Sequence, residues 1–370
     1  MNVETLIYAY LAICVSMILF NIACMFVLEA RDHKLVKRSL KLEHTVEEQF
    51  GRVENGGHVS SSHKDYLCKK LRKVPHLMAF DETMERLRQT SPQVTSTYLK
   101  EVCSVFVYLM TVYSKKSELK AAYFPYIVYK YGIMENTSLA SVNKQLLNMV
   151  RSQSLYCREN ALKALYSTGD VAAVMEAMHI LDRSDVYHNP KLLTDGLLLF
   201  AGSHSRLCEQ IWDEFDSFSA DMRVALLNYM RFQSGEHGDP MLILLKNEKE
   251  NAEIHYACIR YFGKYPEPEA YPMLLQFVEN EKDQTWEYAA IAATALASYP
   301  GRQTEEALKA CLGSRNWYVR LNAAKSLEQL GLGYAQMMDI LEGSDRYAAE
   351  ILRYCMDMKK AREKGNIRYD

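Results

Sequence analysis

Hydrophobic and polar positions divide the chain into three regimes. Leu6–Leu28 is a run of 23 residues without a formal charge, with Ser16 and Asn21 as its only strongly polar side chains. As a helix that length suffices to span a hydrocarbon core of about 30 Å. Leu28, Leu35 and Leu42 then recur at a spacing of seven among mixed charges. This predicts that the helix continues to about Phe50 as a solvated stalk, three leucines being too few for a coiled coil. Gly51–His63 (GRVENGGHVSSSH) is rich in Gly and Ser and poor in apolar residues, the composition of a flexible linker, with His58 and His63 in solvent. From Lys64 onward apolar residues recur every three or four positions, the period of helices with one buried face.

The first part of this helical region is irregular. Asp65–Lys73 and Leu77–Gln89 read as a ragged pair, and Pro92 opens a long helix through about Tyr113 whose uncharged centre, Val102–Tyr113, is too short to cross a bilayer. Glu118–Tyr131 follows, with Pro125 expected to kink or restart it, and then Leu139–Val150. From Ser154 the pattern becomes regular. First helices are expected to begin near Ser154, Asn189, Ser219, Asn251, Asp283, Ser314 and Ser344, at intervals of 35, 30, 32, 32, 31 and 30 residues. Each start is Ser, Asn or Asp, residues whose side chains cap free backbone amides. Ala161, Gly196, Ala225, Ala257, Ala292 and Ala323 hold one register, and four residues later come Leu165, Phe200, Tyr229, Tyr261, Leu296 and Leu327. Second helices are expected at Val171–Leu181, Arg206–Phe215, Pro240–Leu245, Pro268–Val278, Thr304–Leu312 and Leu332–Leu341. A period near 30 with two helices per unit is the signature of an α-solenoid.

The best-formed copy, Asn316–Gly331, reads NWYVRLNAAKSLEQLG. Its Val319-Arg320 followed by Ala323-Ala324 resembles the Val-Arg-x-x-Ala-Ala core of HEAT repeats, in the short bacterial form related to the lyase-type HEAT-like repeat. Arg158 with Ala161, and Trp286 with Ala292-Ala293, repeat parts of it. The leading Asp of that motif is replaced by Ser314, and its Arg by Met222 and Ile254 in other copies. The resemblance covers Ser154–Leu341 well and Lys64–Val150 by analogy. It implies an all-α fold, a right-handed α-solenoid of antiparallel helix pairs, following one N-terminal transmembrane helix. The expected organisation is an anchor (1–28), a juxtamembrane helix and linker (29–63), an irregular part of the solenoid (64–150), regular repeats (151–343), and a capping helix with a charged tail (344–370). In that register Arg158, Trp286, Trp317, Arg320, Ala323 and Ala324 are expected to be structural residues.

Composition narrows the functional classes. The net charge of −2 argues against a general binder of nucleic acid, and none is expected as a partner. The nine cysteines are scattered, with no pair at ligand spacing, which favours reduced, mostly buried thiols over a disulfide framework. There is no GxxxxGK[ST], GxGxxG or GxSxG motif. Iron-binding HEAT-like hydroxylases carry paired His-Glu dipeptides; here only the reversed Glu236-His237 occurs, between glycines, and a polar turn is expected there. No catalytic, cofactor or metal residue is therefore assigned.

Topology follows from the flanks of the apolar run. Glu4 precedes it, and Arg31, Lys34, Lys37, Arg38 and Lys41 follow, which by the positive-inside rule places the long C-terminal part in the cytoplasm. A cleaved signal peptide would need a basic n-region and a shorter apolar core. The functional expectation is a membrane-tethered cytoplasmic scaffold that binds a protein partner. One client class is a membrane enzyme complex, such as a polysaccharide-synthesising glycosyltransferase. The alternative is a HEAT-like enzyme of lyase or metal-dependent hydroxylase type. Tyr108, Tyr113, Tyr123, Tyr126, Tyr129 and Tyr131 are the candidate partner-binding residues, because tyrosine pairs an apolar ring with a wet tip; ordinary packing of an irregular cap is the competing reading. A basic run, Lys69, Lys70, Arg72 and Lys73, could face anionic lipid or simply solvent.

Overall fold

In the computed structural model, which describes residues 3–134, 139–280 and 285–363, every regular element is a helix. The chain divides into two compact units, residues 1–187 with 199–203, and residues 188–198 with 204–370.

Unit 1 is organised by one uninterrupted helix, α1 (Val3–Glu54). Its N-terminal half is long and apolar enough to cross a membrane, and none of the side chains from Ile7 to Leu28 is buried in the protein. Its C-terminal half is a core element. Leu42, Val46 and Phe50 are buried together with Ser39 and Gln49, a face at helical spacing that packs on α3 (Val74–Thr90) and α4 (Pro92–Glu101). Burial of each large apolar side chain contributes about 1.5–3 kcal/mol. A polar set fixes the register of that contact. Arg86 of α3 donates to Glu43 Oε2 at 2.8 Å and to Ser39 Oγ at 2.5 Å. The Thr83 hydroxyl lies 3.1 Å from Ser39 Oγ. With Arg86 partly in solvent, the ion pair is worth about 1 kcal/mol or less, so apolar burial dominates and the polar groups set alignment. The stalk is therefore not solvated. The heptad reading missed the buried face because it followed the leucines rather than the three-and-four spacing of Ser39, Leu42, Val46 and Phe50.

The linker expectation is corrected as well. Gly56 has φ +75°, and the amides of Gly56 and Gly57 donate to the carbonyls of Val53 and Arg52, a Schellman closure of α1. Val59 is buried. Ser60 then caps α2 (Ser61–Lys70) through its side chain, while its amide donates to the buried Gln49 at 2.9 Å. Residues that look like a flexible spacer thus make a helix cap, a buried turn and a second cap. His58 is exposed and bonded to Glu101 (2.8 Å), whereas His63 is buried within hydrogen-bond distance (2.8 Å) of the Tyr98 hydroxyl.

The rest of unit 1 comprises α5 (Cys103–Tyr113), α6 (Glu118–Ala121), α7 (Tyr123–Lys130), α8 (Ala140–Val150), α9 (Leu155–Ser167) and α10 (Val171–Asp182). The expected long helix from Pro92 is broken at Val102, and the restart near Pro125 is seen as the break between α6 and α7.

Unit 2 is helical and repeat-like. Its helices are α11 (Pro190–Leu197), α12 (His204–Glu214), α13 (Ala220–Gln233), α14 (Gly238–Lys246), α15 (Ala252–Lys264), α16 (Tyr271–Glu279), α17 (Trp286–Ala295), α18 (Arg302–Cys311), α19 (Trp317–Gln329), α20 (Met338–Leu341) and α21 (Arg346–Glu363). The odd-numbered helices α11 to α19 each pack on the next odd-numbered one, through α17 on α19 and α19 on α21. Asn189, Ser219 and Asn251 cap their helices through their side chains as the sequence suggests, and Ser154 does so by position alone. Asn316 and Asp345 replace Ser314 and Ser344 as the residues bonded to first-turn amides, because Ser314 Oγ accepts instead from the Asn316 amide. The expected start at Asp283 lies outside the described residues, and Thr285 precedes α17. Both residues of every small–large pair in the repeat register are buried. Small residues let neighbouring helices approach: at the register position Ala225, Thr194 donates to the backbone carbonyl at 2.9 Å, and outside the register a Cβ on Gly263 would meet Ala295 Cα at 3.0 Å.

Burial pushes the His63 imidazole down from 6.5 to about 4. Its folded value lies below its unfolded one, so the unfolded chain takes up the proton first as pH falls. The stability that neutral His63 contributes is complete above pH 6.5 and is lost progressively toward pH 4. Thermal unfolding of the full chain in detergent should weaken over that interval, and His63→Gln should make the dependence shallower. Identical slopes for both proteins would contradict the assignment.

Candidate functional site

The six candidate tyrosines separate into different environments. Tyr113 is fully buried; its ring stacks on Phe124 (4.7 Å between centroids) and its hydroxyl donates to the Leu71 carbonyl at 2.7 Å. Tyr123 and Tyr131 converge on Asp81 of α3, donating to its two carboxylate oxygens at 2.6 Å each, and Lys130 Nζ joins at 2.7 Å. Burial raises the Asp81 carboxyl, but the hydrogen bonds from Lys130, Tyr123 and Tyr131 outweigh it and hold it below the usual carboxylate range. Burial, then the same carboxylate, pushes both phenols above their ordinary value. The hydroxyls of these three tyrosines are thus committed to internal acceptors, which the composition of the segment alone could not reveal, although Tyr131 also lines the cavity described next.

Tyr126 and Tyr129 have the other fate. With Arg88, Thr95, Ser96 and Lys130 they line an open cavity of about 570 Å³ within unit 1. The wall offers hydroxyls, a guanidinium and an ammonium beside apolar ring faces. Lys130 is already paired with Asp81 and Glu85, leaving Arg88 as the cation least engaged by carboxylates. Tyr108 is exposed on α5.

A second surface lies in unit 2. Trp286 and Trp317 open α17 and α19 in the repeat register, yet they are not core residues. Exposure runs from 38 % at Trp286 to 68 % at Tyr347, with Trp317, Tyr318 and Tyr354 between. Trp286 stacks on Tyr318 (5.3 Å, 17°), Trp317 meets Tyr318 edge-on (5.1 Å), and the Arg320 guanidinium lies 5.6 Å over the Tyr347 ring. Beside them Trp317, Leu321, Lys325, Ile351, Tyr354 and Met358 line a groove of about 310 Å³. Arg320 also donates to the Ser314 carbonyl at 2.6 Å, so it holds the turn before α19 while supporting the ridge. Ala323 and Ala324 are fully buried, and Arg158 is buried with its guanidinium on the carbonyls of Ser152, Gln153 and Tyr187. Tyr318, Tyr347 and Tyr354 are not marked by the repeat motif; the signal for Tyr318 and Tyr347 is an aromatic residue at the second position of successive helices, and Tyr354 lies two turns further along α21.

Among the described residues no group of three or more His, Cys, Asp or Glu side chains is placed to hold a metal ion. His237 accepts from Trp212 Nε1 at 3.2 Å and its amide is bonded to Tyr261; His255 lies between the Tyr288 hydroxyl and the Asn247 carbonyl. No two of the nine cysteines are joined in a disulfide, and Cys157, Cys208, Cys258, Cys311 and Cys355 are buried. No family model and no curated protein matches the chain. Fold and surfaces together define a helical, repeat-like all-α protein with one N-terminal apolar helix.

Asp81 holds two phenols and one ammonium; its removal takes the acceptor from Tyr123 and one acceptor each from Tyr131 and Lys130, which keep the residue-81 carbonyl and Glu85 respectively. Asp81→Ala should cost about 2–4 kcal/mol of stability, read as a lowered denaturation midpoint of the full chain. A loss under about 0.5 kcal/mol would show that the tyrosines find other partners.

Proposed function

We propose that this protein is a membrane-tethered scaffold whose helical array binds a protein partner at the bilayer surface. The reading takes Leu6–Leu28 as a single transmembrane span and, from the five basic residues between Arg31 and Lys41, puts the folded units in the cytoplasm. It takes the repeat-like helices as HEAT-like repeats in antiparallel pairs stacked as a right-handed solenoid, after the Val319-Arg320 and Ala323-Ala324 motif. A tether of this kind confines the array to the membrane surface and raises its effective concentration toward a membrane partner.

The observation that carries the binding role is the aromatic ridge of unit 2. Trp and Tyr dominate binding energy where they are rigid and can be desolvated by a partner. Here stacking fixes Trp286 against Tyr318 and Trp317 against Tyr318 while their outer faces remain in solvent. A groove with Leu321, Ile351 and Met358 beside them supplies the adjoining apolar floor. The Tyr126–Tyr129 cavity of unit 1 is a second contact surface. An integral-membrane enzyme complex, for example a polysaccharide-synthesising glycosyltransferase, is the client class that suits an anchored scaffold.

Affinity purification of the full chain from gently solubilised membranes should recover a stoichiometric membrane partner. The combined variant Trp317→Ala, Tyr318→Ala, Tyr347→Ala should lose it by at least tenfold, three aromatic anchors being worth well over 1.4 kcal/mol together. Recovery of the protein alone under several detergents, or equal recovery of the partner by the variant, would overturn the reading.

A further inference from the structure

We infer that the cleft between the exit of α1 from the bilayer and the start of α3 holds the headgroup of one anionic phospholipid. This rests on the reading of α1 as a membrane span.

Leu28, the last residue of the apolar run, lines a cavity of about 320 Å³ together with Arg31, Lys34, Leu35 and Arg38 of α1 and with Pro75 and Met78 from the first turns of α3. Leu28, Arg31, Leu35 and Arg38 follow one another at spacings of three and four, so one helix face carries both the apolar and the basic wall. At 1.5 Å per residue, Arg31, Lys34 and Arg38 lie about 5, 9 and 15 Å beyond Leu28 along the helix. The headgroup layer on each side of a bilayer is about 5–8 Å deep, so the Arg31 backbone falls within it, Lys34 at its edge, and Arg38 about 7 Å beyond it, within reach of its long side chain. Leu28 stands at the acyl side, Leu35, Pro75 and Met78 form the apolar wall above it, and the cations reach the phosphate.

The charges are arranged without protein counter-ions. Lys34 and Arg38 stand four residues apart, a like-charge spacing that destabilises an isolated helix. Among the described residues, Arg31, Lys34, Arg38, Lys70 and Lys73 make no ion pair. Asp32 is the one carboxylate on the cavity wall. The last turn of α2 and the loop joining it to α3 add Lys69, Lys70, Arg72 and Lys73, all exposed. Burial and then Arg38, Lys70 and Lys73 hold the His76 imidazole below its ordinary value, so cations from α1 and from this stretch act on the same point. A cationic pocket that starts at the last apolar residue of a span suits a ligand with a phosphate and an acyl chain, rather than a free phosphate.

The test titrates the full-length protein in detergent with short-chain phosphatidylglycerol, phosphatidylcholine or inorganic phosphate, and reads retained ligand by native mass spectrometry. Phosphatidylglycerol should bind, and Arg31→Gln, Lys34→Gln, Arg38→Gln together should weaken it on the order of 100-fold, three basic contacts being lost. Should that variant fail to fold, Lys34→Gln alone, at an exposed position, should still weaken binding by about fivefold. Equal retention of phosphatidylcholine and phosphatidylglycerol, undiminished binding by the variants, or competition by inorganic phosphate at the same concentration as the lipid would each overturn the site. Flotation with vesicles separates the two failures. A protein that floats but does not discriminate lipids refutes only this cleft, whereas one that does not float with vesicles of any composition refutes the span and the cleft together.

Discussion

Unit 1 depends on the contact between α1 and α3. A helix whose first half has no partner in the protein must be held by its second half, and that half offers only a narrow buried face: Ser39, Leu42, Val46, Gln49 and Phe50. Apolar burial supplies most of the free energy, and the Arg86–Glu43–Ser39–Thr83 set supplies alignment. Alignment matters because a helix is a stiff rod. Any rotation of α1 against α3 would turn Arg31, Lys34 and Arg38 away from Pro75 and Met78, and would carry the apolar half with it. Because the apolar half and the packed half are one rod, the direction of the apolar half is fixed relative to unit 1.

The same economy recurs at the Asp81 hub. One carboxylate on α3 receives Tyr123, Lys130 and Tyr131, so the helix that grips α1 is also the helix on which α7 is seated. The tyrosines that look from composition like a sticky patch are divided by geometry. Tyr113, Tyr123 and Tyr131 have hydroxyls tied to internal acceptors, while Tyr126 and Tyr129 face an open cavity whose wall Tyr131 shares.

Much of unit 2 was legible in the sequence because its information is local and repeated. The alternation of Ala or Gly with a large residue four positions on states which side chains face inward, and helix caps such as Ser219 and Asn251 state where the chain turns. What was not legible is tertiary. Trp286 and Trp317 occupy a repeat register, but register says only where a residue sits on its helix, not whether another helix covers it. The GG pair at Gly56-Gly57 has the composition of a linker and the geometry of a helix terminus, and only the buried Val59 and His63 beside it distinguish the two. The polar members Ser39 and Gln49 disguised the buried face of α1, since a hydrophobicity pattern does not mark a serine or glutamine as core.

The central claim is that the apolar span and the folded unit share one uninterrupted helix. Hydrogen–deuterium exchange of the full chain in lipid nanodiscs tests it most directly. Continuity requires slow amide exchange without a gap from Ala30 through Phe50, and protection of Leu67 and its neighbours across the capped turn at Gly56–Ser60. Fast exchange anywhere between Ala30 and Arg38, with the span and α3 both protected, would mean a hinge between membrane and domain and would contradict the account.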